Sequence, residues 1–153
     1  MIILSKLADY GVIVASHLAL EPERQLNAAV IAAETHLPQA TVAKVLKALA
    51  RAGVVTAVRG AAGGYRLARP AIEISLAEVV AAIDGEIGVT QCSVHVPRCE
   101  RTNFCPTRPH WQRINAAVGN ALAAITLADM VESLPAAAWV GRLSPSSVET
   151  RVP

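Results

Sequence analysis

The sequence predicts a mainly α-helical fold, and three observations predict it. Hydrophobic residues fill 53% of the 153 positions but aromatic residues only 3%, an Ala-, Val- and Leu-rich composition suited to helices. Apolar residues recur at three- and four-residue steps through most of the chain. The exception is a β-branched run, 54–58, followed by a glycine-rich tip and a second short apolar run. Three helices followed by a two-stranded hairpin form a winged helix-turn-helix. The chain extends that unit with a cysteine loop and a long helix of the kind that pairs subunits.

Residues 3–20 place Leu4, Leu7, Val12, Val14 and Leu18 near helical spacing, with Ser5 as an early cap. Asp9 lies in the first turns, where a carboxylate is favoured by the helix dipole. After the turn Glu21-Pro22-Glu23-Arg24, Asn27 caps a short helix, 28–34, that turns Val30 and Ile31 inward. Thr35-His36-Leu37-Pro38 breaks it. Pro38 starts a third helix through Ala52 with Val42, Val45, Leu46 and Leu49 as its buried stripe, and Gly53 ends it.

Val54–Val58 and Tyr65–Leu67 then read as strands around Arg59-Gly60-Ala61-Ala62-Gly63-Gly64. Gly60, Gly63 and Gly64 permit positive φ and close backbone approach. Arg59, at the base of this wing, suits a narrow minor groove, where the potential is most negative. No Lys-Ser/Thr and no helix follow the glycines, which excludes a nucleotide-phosphate loop. Charge supports a polyanion partner: net charge is only +2, yet no Asp or Glu occurs from Thr35 to Ile72, where Lys44, Lys47, Arg51, Arg59, Arg66 and Arg69 all lie.

The organisation that follows is a winged unit over 1–72, a connecting helix within 73–88, a cysteine loop over 89–106, a long and a short helix over 107–133, and a frayed Ser/Pro-rich tail over 134–153. Ser75 with Glu78 forms a capping box for the connecting helix. From Thr107 to Ile125, Trp111, Ile114, Val118, Leu122 and Ile125 make one stripe among small alanines, a seam fit for helix–helix contact. Thr126 caps the short last helix.

All three cysteines, Cys92, Cys99 and Cys105, fall in the loop, spaced C-x6-C-x5-C among Pro, Arg, Asn, Glu and Thr. Buried structural cysteines ordinarily sit within apolar periodicity. Arg98, Arg101 and Arg108 beside these favour the thiolate, the form that binds metal. An odd count without a secretory signal argues against disulfides. Converging soft thiolates suit an iron–sulfur cluster or zinc, either of which needs a fourth ligand.

These residues together resemble the IscR/NsrR family of bacterial winged-helix repressors that carry iron–sulfur clusters. The resemblance runs from about Ile3 to Ser133. Its anchors are Leu4-Ser5-Lys6 with Asp9-Tyr10, Gly53-Val54-Val55, Val58-Arg59-Gly60-Ala61-Ala62-Gly63-Gly64-Tyr65, the cysteine triplet, Trp111, and Ile125-Thr126-Leu127-Ala128-Asp129. Within the family the chain is most similar to regulators of the SUF iron–sulfur assembly operon.

The resemblance implies a homodimer on a pseudo-palindromic double-stranded DNA operator, with recognition helices in major grooves and wings in adjacent minor grooves. Gln39 and Thr41 would reach base edges, while Lys44 and Lys47 would meet phosphates. The family's iron–sulfur-biosynthesis member has a carboxylate where this chain has Ala43, so its operator sequence does not carry over. The resemblance also implies cluster ligation by Cys92, Cys99 and Cys105. One branch supplies the fourth ligand from a His three residues past the last cysteine, here Arg108, which stays protonated and cannot ligate. The nitric-oxide-sensing branch uses an Asp from the partner subunit's first helix, and that position is Asp9. His110 and His95 are the rivals. Three cysteines with one Asp would fit [4Fe–4S]; [2Fe–2S] stays open.

Other function classes fit less well. Paired carboxylates, a nucleophile elbow and a cofactor loop are all lacking, so the chain does not read as an enzyme. Its longest apolar run falls short of the roughly 18 residues a membrane span needs, and no signal peptide is evident, so a cytoplasmic protein without a membrane partner is expected. A zinc-stabilised regulator and a nitric-oxide- or redox-sensing repressor of the same fold remain the alternatives.

Overall fold

Ser5 anchors the start of the chain in the computed structural model, which describes residues 4–94 and 99–132. Its hydroxyl oxygen accepts from the Ala8 N–H at 3.0 Å, capping α1 (Lys6–Leu20). The same hydroxyl donates to Asp84 Oδ1 at 2.5 Å. Asn27 Oδ1 accepts from the Val30 N–H at 2.9 Å and opens α2 (Ala28–Thr35). His36 ends α2 in a left-handed conformation, φ 56°, which turns the chain into the next helix.

That helix, α3 (Gln39–Arg51), starts one residue later than the sequence predicts. Pro38 is extended, ψ 132°, and stands just outside, its carbonyl accepting from Thr41 and Val42. The predicted stripe is the buried face: Val42, Val45, Leu46 and Leu49 are all fully enclosed. Gly53, with φ +73°, ends the segment as expected.

The wing is β1 (Val55–Val58) antiparallel to β2 (Gly64–Leu67), with Val55 opposite Leu67 and Val58 opposite Gly64. Leu26 adds a further rung: its N–H donates to the Tyr65 carbonyl at 3.1 Å and its carbonyl accepts from the Tyr65 N–H at 2.8 Å. The segment before α2 thus lies along the outer edge of β2 and protects it.

A 3-10 turn, Ala71–Glu73, leads to α4 (Leu76–Asp84), where Ser75 and Glu78 form the predicted capping box. Gly11 on α1 permits close packing with α4, since a Cβ there would stand 3.0 Å from Ile83 Cγ1. The chain then runs through the cysteine loop to α5 (Arg108–Ala123) and α6 (Leu127–Glu132).

Ile125, counted in the long helix from its spacing, lies beyond it. The Leu76 N–H donates to its carbonyl at 2.9 Å, and the Leu127 N–H donates to the Ile74 carbonyl at 2.9 Å. These bonds draw the chain out of helix and return α6 to the winged unit, where Leu127 is fully buried with Ile74. The core therefore joins α1, α3, α4 and the wing base to an element from the far end of the chain. His95 and the tail expected over 134–153 lie outside the described residues.

Candidate nucleic-acid interface and thiol site

Because one face of α3 is buried, its opposite face projects Gln39, Ala43, Lys44, Lys47 and Arg51 to solvent, with Thr41 half-buried between the faces. Lys44, Lys47, Arg51, Arg59 and Arg66 are exposed and have no ion pair among the described residues. Arg69 differs: it is bound to Glu78 and to the Glu73 carbonyl. The exposed cations are thus available to a polyanion rather than spent on internal pairs. Arg51 was not among the predicted contacts, although its position in the last turn of the same acid-free helix could have suggested it.

The three wing glycines serve different ends. Gly60 is exposed with φ +119° and shapes the tip. Gly63 closes the turn, its N–H donating to the Gly60 carbonyl at 2.9 Å; a Cβ there would meet the Val58 carbonyl at 2.4 Å. Gly64, predicted as a DNA contact, is buried, and a Cβ on it would stand 2.9 Å from the Leu26 backbone. It supports the wing by admitting the Leu26 rung and offers no surface of its own to a phosphate.

All three cysteines are free thiols: Cys92 is buried, Cys99 and Cys105 half-buried. Thr90 Oγ1 lies 3.3 Å from Cys92 Sγ and Thr107 Oγ1 lies 3.2 Å from Cys105 Sγ. Hydrogen bonds from the Thr107 hydroxyl and amide hold the Cys105 thiol below the usual thiol range, with Arg101 the smallest favourable contribution. Arg101 favours the thiolate in the expected direction, Arg108 does so through its backbone amide, and Arg98 lies outside the described residues. The Cys99–Cys105 segment is folded by its own turns: the Thr102 hydroxyl donates to the Cys99 carbonyl at 2.5 Å, and Arg108 Nη1 reaches the Thr102 carbonyl at 3.5 Å.

Three unoxidised soft thiols on one loop fit a thiophilic centre chemically. Among the described residues of one chain, no three His, Cys, Asp or Glu side chains are gathered into a metal cage. Asp9 is exposed on α1, its carboxylate without a hydrogen-bond or ion-pair partner among those residues, and His110 is exposed in the first turn of α5. Neither joins the cysteines of its own chain in a cage. The hydroxyls of Thr90 and Thr107 escaped sequence reading, although each stands two residues from a cysteine.

A family model described as Rrf2, iron-dependent transcriptional regulator, matches residues 4–133. The chain belongs to the Rrf2 family. The resemblance to the IscR/NsrR group holds within it. IscR of Vibrio atlanticus is 33% identical over 84 residues, covering 55% of this chain and 48% of that protein. Among solved structures, CymR, the global cysteine regulator of B. subtilis, aligns with a TM-score of 0.70 at 26% identity, covering 88% of this chain and all of that one. T. potens IscR aligns with a TM-score of 0.67 at 27% identity, covering 86% of this chain and 87% of that one.

The chain spans only about half the length of the curated relatives it matches first. These Rrf2 relatives are regulators of transcription and not enzymes, and the shared fold is the mainly helical winged one predicted. No described helix is long and apolar enough to cross a membrane.

Proposed function

We propose that this Rrf2 protein is a homodimeric repressor of iron–sulfur assembly genes, its grip on double-stranded DNA governed by an iron–sulfur centre at Cys92, Cys99 and Cys105. The observation that carries the reading is the pairing of an unneutralised cationic face on α3 and the wing with three free thiols on one loop. Gln39 and Thr41 would read base edges, Lys44, Lys47 and Arg59 would meet phosphates, and Gly60 would let the wing tip approach the backbone. Gly63 and Gly64 would act indirectly, by shaping the wing.

Cys92, Cys99 and Cys105 would hold the centre, with Asp9 of the partner subunit as fourth ligand and His110 or His95 as rivals. When bound, such a cluster would supply an oxidisable link to the three thiols. The loop follows directly on α4, whose last residue, Asp84, accepts from the Ser5 N–H at 3.2 Å and from its hydroxyl at the start of α1. Fixing the loop would therefore bias the placement of α1 and the winged unit. Operator affinity changes to the extent that the two arrangements differ in their hold on the centre.

The second subunit is supported by α5, which buries no residue in its own chain and leaves Trp111 and Ile114 37% and 44% exposed. A zinc-held loop or thiol oxidation would keep the same DNA surface without a cluster.

Protein purified without oxygen should be coloured and contain iron and acid-labile sulfide in equal amounts. Colourless protein carrying stoichiometric zinc would end the cluster reading. Lys44→Ala and Arg59→Ala should weaken binding on all sequences and reduce the salt slope by about one each. Gln39→Ala alone should relax sequence preference, costing about 1–3 kcal/mol on the best site. Unchanged footprints in all three variants would refute the docking.

A further inference from the structure

We infer that Asn115 is a positioning residue for Cys92, fastening the first thiol of the loop to the long helix. The inference rests on the cluster reading above for its purpose, and on five hydrogen bonds for its geometry. Asn115 lies in the middle of α5, half-buried, on an otherwise alanine-rich stretch where a polar amide is a poorer helix former than its neighbours. Its side chain faces the loop. Asn115 Oδ1 accepts from the Val89 N–H at 2.9 Å, and Asn115 Nδ2 donates to the Ser93 carbonyl at 3.3 Å. These bonds fix the sense of the amide, because rotating it would set donor against donor and acceptor against acceptor.

Between the two anchored residues the backbone closes on itself. The Thr90 N–H donates to Ser93 Oγ at 3.0 Å, the Ser93 hydroxyl donates to the Thr90 carbonyl at 2.8 Å, and the Ser93 N–H donates to that carbonyl at 3.1 Å. The Thr90 hydroxyl, itself 3.1 Å from Ser93 Oγ, lies 3.3 Å from Cys92 Sγ. The turn is also tight at its start, since a Cβ on Gly88 would stand 2.3 Å from Val94 Cγ1. Cys92 sits inside the clamped turn, and it is the one cysteine of the three that is buried.

Cys99 and Cys105 lie outside this clamp, on turns of their own. A movement of α5 at Asn115 therefore carries Cys92 with it, while Cys105 is tied to the start of the helix instead, where the Arg108 N–H donates to its carbonyl at 3.3 Å. In a regulator whose long helix forms the subunit contact, Asn115 makes the position of one ligand depend on the register of that contact.

The test uses the full chain, reduced and iron-free, and measures iodoacetamide labelling of each cysteine by mass spectrometry. In the unaltered protein Cys92 should react slowest. Asn115→Leu removes both side-chain bonds and should speed labelling of Cys92 about tenfold while leaving Cys105 unchanged. Asn115→Asp keeps the acceptor for Val89 and should fall between. Unchanged Cys92 labelling in Asn115→Leu, or an equal rise at all three cysteines from general loosening, would overturn the inference.

Anaerobic addition of ferrous iron and sulfide to the same proteins separates this result from the cluster reading. If the unaltered chain takes up neither, the cluster reading fails and labelling still decides the clamp. If it does take them up, Asn115→Leu should give a weaker absorption band and less bound iron, and an identical spectrum would overturn the positioning role.

Discussion

α3 buries Val42, Val45, Leu46 and Leu49 completely against its own chain, whereas α5, though longer, encloses no residue fully. The two helices are both amphipathic, so the difference is one of partner. α3 is held by α1, α2, α4 and the wing base, and only its polar face is left for something outside. α5 rests on α4 by one side and shows Trp111 and Ile114 to solvent, while the described start of the loop before it is tied to α5 by the hydrogen bonds of Asn115. A reading head can be finished within one chain. On the function proposed above, the loop and α5 would be completed by a second subunit and a bound centre.

Truncation should separate the two regions most sharply. Leu46→Ala should cost about 2–5 kcal/mol in urea unfolding, as expected for a closed core site. Ile114→Ala should change the stability of the dilute, dissociated chain little, yet weaken self-association about tenfold or more in sedimentation, a loss of at least ~1.4 kcal/mol at the contact. Equal losses of chain stability would erase the contrast.

A smaller effect is expected from Gly64→Ala, about 1–3 kcal/mol, because the new methyl presses on the Leu26 backbone, which has little room to give. DNA affinity should fall with it through loss of wing shape. If the variant folds normally but still loses DNA, Gly64 touches the ligand after all.

The smallest is Glu78→Ala, about 1 kcal/mol for the lost capping box. The Ser75 backbone N–H chiefly holds the Glu78 carboxyl below its usual value; burial opposes it, and Arg69 and the Ser75 hydroxyl add to the lowering. A depressed folded-state carboxyl stabilises above its unfolded pKa, and that stability is lost as pH falls through the lower folded value. The difference between the two proteins should therefore narrow under acid, below about pH 4.3. The Glu78 side chain is 41% exposed, so solvent screening keeps its pairing with Arg69 weak.

Much of the winged unit was legible because its signals are local. Ser5, Asn27 and Ser75 cap the helices they precede, Gly53 adopts the left-handed turn that ends α3, and the stripe from Val42 to Leu49 is the buried one. What could not be read involves residues far apart in the chain. Neither the Leu26–Tyr65 rung nor the return of Leu127 to Ile74 has a periodicity to reveal it. Gly64 was assigned to the DNA because a glycine needed for close approach looks the same whether the approaching backbone is a ligand's or its own. Asn115 left only a faint trace, a polar amide in an alanine-rich helix. The cysteines were visible by composition, but their hydroxyl partners Thr90 and Thr107 depend on how the turns fold.

The most direct test of the central claim is a pair of DNA-binding curves from one anaerobic preparation, on a fragment the protein itself selects from a random-sequence pool. One curve is taken with iron and sulfide bound, the other after chelation under reducing conditions. The account predicts dissociation constants that differ about tenfold or more. Superimposed curves, with iron and sulfide demonstrably present in the first sample, would contradict it.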